Sequence, residues 1–331
     1  MTPFLCDTHH YSLILRRAHE GRQSKIPRNV EQMKSALVRA RDVALRRIDR
    51  VIEPYPVRDL PDGHMVYLPG RGSTYVTDSG PKDKPAIFLL HSVLTNGLLC
   101  WYPLIPALNK HFRVITLDQR WHGRGLRNRP FDLDDCADDV AALADALGID
   151  TFTAAGFSMG GGVAQLTWRR HRSRVNGLIL CSTGPYFGSN DPKRQTSMSN
   201  IGRVMKVIHP PHVQPNAAKL DDRTVPDSVW ALRQFLSTPV SRLGSLGDGM
   251  GRFDSRPWLS EIDVPTAVLI STRDRVIPPA RQHLLSDNIP GSKAFEVDGG
   301  HACCVLEADR FIPVFCEAAR HATSAPAPAL R

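Results

Sequence analysis

From residue 86 to residue 181 of this 331-residue chain, short apolar runs alternate with stretches of helical periodicity, and this rhythm constrains the fold more than any other feature. Residues 86–90, 114–117, 151–156 and 177–181 read as strands; 98–108 and 133–147 read as helices, and a further helix follows Gly160. Strands that alternate with helices pair in parallel, because each crossover runs back over a sheet face before the next strand begins. The expected fold class is therefore α/β, a mostly parallel central sheet with helices on both faces. Two earlier segments, 65–68 and 73–78, are joined by Pro69-Gly70-Arg71-Gly72 and read as antiparallel edge strands. Segments 267–270 and 294–297 supply two late strands.

The run Gly156-Phe157-Ser158-Met159-Gly160 falls where strand 151–156 gives way to a helix. A serine on so sharp a turn is forced into a strained backbone conformation that only small neighbours permit, and its hydroxyl then projects at a helix N-terminus. Ser158 is the candidate nucleophile. A serine hydroxyl needs a base in hydrogen-bond reach, and that base needs a carboxylate to fix its tautomer. Asp274 lies just past strand 267–270 and His301 just past strand 294–297, so both fall at strand ends that a parallel sheet gathers on one edge. The rivals are placed less well. His321 sits near the C-terminal tail, Asp263 precedes its strand, Asp287 lies in a helical stretch and Asp298 is too close to the strand that carries His301.

These segments, together with Leu89-Leu90-His91, Asp118-Gln119-Arg120-Trp121-His122-Gly123-Arg124-Gly125 and Gly299-Gly300-His301 with Glu307, resemble the α/β-hydrolase fold family from about residue 67 to about residue 317. Bacterial serine esterases and cofactor-free haloperoxidases are the members most similar in appearance. The resemblance implies roles for Ser158, Asp274 and His301 in the order nucleophile, acid, base. It also implies an oxyanion hole from the backbone N–H groups of Met159 and Val93, with no metal and no organic cofactor. Ser92 stands where the family usually has glycine, which bears on the turn of the oxyanion loop. Trp121 also replaces a usual glycine, with an effect expected on packing alone. His91 is expected to be structural or to line the pocket, and Asp118 and Arg120 to tie their loop to a strand end. Epoxide hydrolases and haloalkane dehalogenases share the scaffold with an aspartate nucleophile, against which Ser158 argues. The expected function is cleavage of a carboxylic ester-type bond in a small molecule through an acyl-enzyme on Ser158. Carbon–carbon bond hydrolases and cofactor-free perhydrolases use the same triad, and a catalytically silent ligand-binding member is the alternative from another class.

Residues 61–183 and 258–321 form the expected core, interrupted at 184–257, where the strand rhythm stops. An insertion at that point reads as a cap over the pocket, and Trp230 and Phe235 are its aromatic residues expected to line or buttress it. Replacing the insertion by a short linker is expected to change ester chain-length preference and leave acetate esters cleaved. Residues 322–331 read as a flexible tail. The formal charge of +9 is uneven: residues 1–60 hold 12 Lys or Arg and 7 Asp or Glu, a net +5 that leaves +4 for the rest. Within that N-terminal extension Val30, Met33, Leu37, Ala44, Leu45 and Ile48 fall near one helical stripe, with the arginines mostly elsewhere. An amphipathic helix with a solvated basic face is expected, with peripheral contact to anionic membrane as its functional reading; no motif for nucleic acid accompanies it. Apolar runs of four or five residues fall far short of the roughly 20 needed to cross a bilayer, and no secretory apolar stretch is seen, so a cytoplasmic location is expected. Seven cysteines lack disulfide spacing and read as reduced, buried thiols, Cys303-Cys304 beside His301 included.

Overall fold

The computed structural model describes residues 55–188, 220–238 and 243–324; the amphipathic stripe of the N-terminal extension, residues 189–219 and the end of the tail lie outside the described residues. Eight strands form one sheet: β1 (Gly63–Leu68), β2 (Gly72–Ser79), β3 (Ala86–Leu90), β4 (Arg113–Leu117), β5 (Phe152–Phe157), β6 (Val175–Cys181), β7 (Thr266–Ser271) and β8 (Lys293–Val297). Their order is β1-β2-β4-β3-β5-β6-β7-β8. The pairs β1/β2 and β2/β4 are antiparallel and every other pair is parallel. Only β1 of the first hairpin is an edge strand, since β2 pairs with β4 on its other side.

Strand periodicity divides the interior into two layers. Phe88 and Leu90 of β3, Phe152 and Ala154 of β5, Leu178 and Leu180 of β6, and Val268 and Ile270 of β7 face one core, which they share with the helices α3 (Leu133–Ala146) and α4 (Met159–Arg170). Phe157, at the opposite phase of β5, packs on the other face. There its ring lies 6.1 Å from Trp101 of α1 (Gly97–Trp101) and 6.1 Å from Phe311 of the last helix, α9 (Ala308–Ala322). Burying each such ring or branched side chain contributes ~1.5–3 kcal/mol. With both faces covered, β3, β5 and β7 are buried along their whole length, which is why they read as continuous apolar runs.

One helical expectation changes, and one helix is new. The stretch 98–108 is split into α1 and α2 (Ile105–Leu108), because Pro103 and Pro106 have no N–H to continue the ladder. The glycine-rich stretch of the insertion is a helix, α6 (Leu243–Gly251), after α5 (Asp227–Leu236). Glycine disfavours helix by about 1 kcal/mol per residue. Tertiary packing offsets this: Leu246 is wholly buried in the core, and Gly249 lies so close to Phe131 that a Cβ would collide with its ring. The chain then forms α7 (Pro279–Asn288) and α8 (Cys303–Leu306) around the last two strands. Among the described residues no helix is long and apolar enough to cross a membrane.

Candidate active site

Ser158 sits between β5 and α4 at φ 53°, ψ −114°, a region an L-residue occupies only under constraint. Three bonds impose it: the Ser158 N–H donates to the Cys181 carbonyl at 2.9 Å, and the Ser158 carbonyl accepts from the Thr183 hydroxyl at 2.8 Å and from the Gly161 N–H at 2.9 Å. The flanking glycines are sterically required. A Cβ on Gly156 would strike the Gly160 carbonyl, and one on Gly160 would strike the Leu90 carbonyl.

Asp274 follows β7 and His301 follows β8, and the structure brings both to Ser158. His301 Nε2 lies 3.0 Å from Ser158 Oγ, and His301 Nδ1 lies 2.7 Å from Asp274 Oδ2. A carboxylate can only accept here, so Nδ1 carries the proton and Nε2 is left to accept from the serine. The other Asp274 oxygen, Oδ1, accepts from the N–H groups of Val276 at 2.8 Å and Ile277 at 2.9 Å. With that side chain wholly buried and these three bonds made to it, its orientation is fixed. Two of the rival acids are engaged elsewhere: Asp298 pairs with Arg273 and Arg310, and Asp263 accepts from Trp168 and Arg172; Asp287 lies within α7 (Pro279–Asn288). His321 packs on Phe295 instead.

Met159 opens α4, so its N–H is among the helix N-terminal donors that have no intrahelical acceptor. Val93 lies in the loop after β3. The Ser92 carbonyl just before it accepts from the His91 ring at 2.8 Å and from the Thr95 hydroxyl at 2.9 Å. Because a trans peptide holds C=O and N–H on opposite sides, these bonds turn the Val93 N–H away from His91 and Thr95. His91 is structural: its Nε2 accepts from the Gln119 N–H at 2.9 Å. Burial, reinforced by His122, holds its pKa well below the usual imidazole value and so preserves the neutral ring that these two bonds require. The left-handed residue of this loop is Leu94, at φ 66°, and Ser92 needs no such conformation.

Asp118 does tie its loop, accepting from Gly97 N–H at 3.0 Å and Arg124 N–H at 2.8 Å. Arg120 reaches instead to Asp139 on α3. Trp121 is more than a packing change. It sits at φ 62°, the conformation a glycine would adopt without strain, and is held there with its indole N–H donating to the Arg129 carbonyl at 2.8 Å.

Of the two aromatic residues expected at the pocket, Trp230 is wholly buried in α5, its ring 5.8 Å from Tyr102 just after α1, whereas Phe235 is exposed. The sequence reading missed Gln234 of α5 and Gln282 of α7. Gln234 accepts from Asn96 of the loop after β3 at 2.6 Å, and Gln282 donates to Asp274 at 3.1 Å. Gln282 had a signal: it shares helical phase with Leu285 and Ile289, and an amide at a core position needs partners. Cys303 and Cys304 are free, buried thiols, and burial pushes Cys303 up to about 11. Among the described residues no three His, Cys, Asp or Glu side chains are grouped so as to hold a metal ion.

Comparison with known proteins agrees with this architecture. The 3-oxoadipate enol-lactonase 1 of Acinetobacter baylyi is 22% identical over 76% of this chain and 96% of its own length. The putative carbamate hydrolase RutD of Serratia proteamaculans is 28% identical over 64% of this chain and 82% of its own. Among solved structures, the enol-lactonase of Burkholderia xenovorans superposes with a TM-score of 0.64 at 25% identity, covering 78% of this chain and all of that one. The model of the alpha/beta hydrolase fold family matches residues 85–308, and the chain belongs to that family.

Proposed function

We propose that the protein is a serine hydrolase that cleaves carboxylic ester bonds, lactones included, through an acyl-enzyme on Ser158. The observation that carries the reading is the hydrogen-bonded line from Ser158 Oγ to His301 Nε2 at 3.0 Å and from His301 Nδ1 to Asp274 Oδ2 at 2.7 Å. As Ser158 Oγ attacks the ester carbonyl, its proton passes to Nε2, and Asp274 stabilises the imidazolium. The N–H groups of Met159 and Val93 meet the negative oxygen of the tetrahedral intermediate, and losing such a donor costs about 100- to 1,000-fold in rate. The imidazolium then protonates the leaving alcohol. Water, deprotonated by the same nitrogen, releases the acid and restores the serine. The names of two relatives, an enol-lactonase and a putative carbamate hydrolase, favour an acyl carbon bearing a heteroatom leaving group. The insertion at 184–257 takes the part of a cap that shapes the acyl pocket.

The test combines labelling with turnover. A fluorophosphonate should label the native chain covalently and should fail to label Ser158→Ala, whose thermal midpoint stays close to native. Hydrolysis of p-nitrophenyl esters of graded length and of simple lactones should vanish in the same variant. Labelling or turnover that survives the substitution would remove Ser158 from this role.

A further inference from the structure

The carboxamide of Gln282 is wholly buried at the base of α7 and makes three hydrogen bonds. Its Oε1 accepts from the Ser271 N–H at 3.0 Å, and its Nε2 donates to the Ile277 carbonyl at 2.7 Å and to Asp274 Oδ2 at 3.1 Å. The backbone groups fix which way the amide faces. An N–H at Ser271 can only donate and a carbonyl at Ile277 can only accept, so the NH2 group is necessarily on the side of Asp274. Both amide hydrogens and the oxygen are thereby used. The oxygen that receives Gln282 is also the one that receives His301 Nδ1, so the amide acts on the lone-pair geometry of the very atom that orients the base.

Ser271 is the second half of the arrangement. As the last residue of β7 it meets Gln282 through its N–H, while its hydroxyl lies 3.2 Å from Cys303 Sγ and 2.6 Å from Ser182 Oγ. Cys303 is two residues beyond His301, and Ser182 directly follows Cys181, whose carbonyl holds the Ser158 N–H. One strand end is therefore the common reference for acid, base and nucleophile. Gln282 is the side chain through which the acid is referred to it.

We propose that Gln282 is a positioning residue for Asp274, setting the orientation and basicity of the carboxylate that holds His301; this rests on the serine-hydrolase reading above. A passive core amide would affect stability alone. A positioning amide changes the proton affinity of the imidazole that its carboxylate faces. Asp274 is flanked in the chain by Arg273 and Arg275; of the ionisable groups beside His301, the buried Cys303 thiol stays neutral, and Glu307 faces Arg273 at 4.0 Å. Replacing the amide by a second carboxylate puts like charge beside Asp274 and favours the imidazolium. Replacing it by an apolar side chain removes a donor, leaves the carboxylate a stronger partner for the imidazolium, and moves the base in the same direction by less.

The experiment uses the full chain with Gln282→Glu and Gln282→Met, the second retaining volume should the first fail to fold. Two readouts are taken. With a short p-nitrophenyl ester, Gln282→Met is expected to lower kcat about 10-fold with KM within about two-fold, a loss of orientation rather than of binding. In a Ser158→Ala background, NMR titration of the His301 ring is expected to shift its midpoint upward by about one pH unit in Gln282→Glu and by about 0.3 in Gln282→Met. A His301 midpoint that stays at the native value in every variant that folds, with only the thermal midpoint reduced, overturns the proposal. If the native chain neither labels with fluorophosphonate nor hydrolyses esters, the esterase reading fails by itself, and the His301 titration still decides the role of Gln282.

Discussion

At φ 53° and ψ −114°, Ser158 carries strain of a kind that costs ~1–3 kcal/mol and persists only where its surroundings over-determine it. Glycine adopts positive φ without a Cβ penalty, so the variants Ser158→Ala and Ser158→Gly should differ in stability although both lose the hydroxyl. Alanine keeps the Cβ and the strain. The glycine variant should therefore be the more stable by about 1 kcal/mol, after its larger unfolded-state entropy is set against the strain released, and should melt ~2–4 °C higher. Calorimetry of the pair checks this; an alanine variant equal to or above the glycine one would mean that the turn imposes no cost. The need for a strained serine was legible in the sequence because Gly156 and Gly160 announce it. The strain at Trp121 had one signal, its place where the family usually has glycine, which reads as a packing change because the Trp121 indole bond to Arg129 spans a loop whose shape the sequence leaves open.

Elements were legible where one periodicity dominated and obscure where packing overrode it. β3 has the limits its apolar run gave, and α3 begins one residue after its Asp132 cap. The helix α6 was hidden because its glycines speak against helix and only the burial of Leu246 and the close approach to Phe131 speak for it. More consequential is how α5 meets the loop after β3. Asn96 caps α1 by accepting from the Leu99 N–H at 2.9 Å, and its amide donates to Gln234 Oε1 at 2.6 Å, while the Thr238 hydroxyl donates to the Thr95 carbonyl at 3.3 Å. Asn96, Gln234 and Thr238 are buried. The insertion is thus fastened to the loop that presents the Val93 N–H, and removing it would leave the Asn96 amide unsatisfied. Sequence reasoning expects a linker in place of 184–257 to leave acetate esters cleaved; this geometry gives the opposite expectation. A milder test is Gln234→Leu, which keeps the insertion but takes from the buried Asn96 amide its 2.6 Å acceptor and leaves it the Ser237 hydroxyl at 3.4 Å, at a cost of about 1 kcal/mol. We expect kcat to fall for short and long esters alike, by about 10-fold, with their ranking unchanged. A changed ranking at native kcat for acetate would show that α5 acts on chain-length preference without disturbing the loop after β3.

Across the whole molecule, the parallel strands β5, β7 and β8 carry the three candidate residues to one end of the sheet, and buried polar groups secure the loops on which they act. Arg71 of the first hairpin turn and Arg120 of the loop after β4 both bond Asp139 on α3, joining three elements through a single buried carboxylate. The topology of the parallel body followed from alternation along the chain. These long-range polar ties did not, because nothing local in Asp139 or His122 declares which distant group will face it. His122 makes such burial measurable. Its Nδ1 donates to the Arg120 carbonyl at 2.8 Å, and its pKa is lowered to about 4 by burial, with that hydrogen bond opposing and Arg127 adding to the shift. The unfolded chain protonates this imidazole near the ordinary value of about 6.5, so between that pH and about 4 the unfolded state binds more protons than the folded state. Stability is then full above pH 6.5 and declines as the pH falls toward 4, by roughly 3 kcal/mol from this residue. His91, lowered for the same reason, contributes with the same sign. Burial raises the Asp118 carboxyl and acts in the opposite sense, so total stability against pH would not isolate His122. His122→Asn does, since asparagine can donate to the Arg120 carbonyl and does not titrate. Urea unfolding at pH 7 and pH 4.5 should show a smaller loss on acidification in the variant than in the native protein, by about 2 kcal/mol. Parallel losses in the two proteins would mean that His122 is protonated in the fold, with a hydrogen-bond acceptor found for its Nε2.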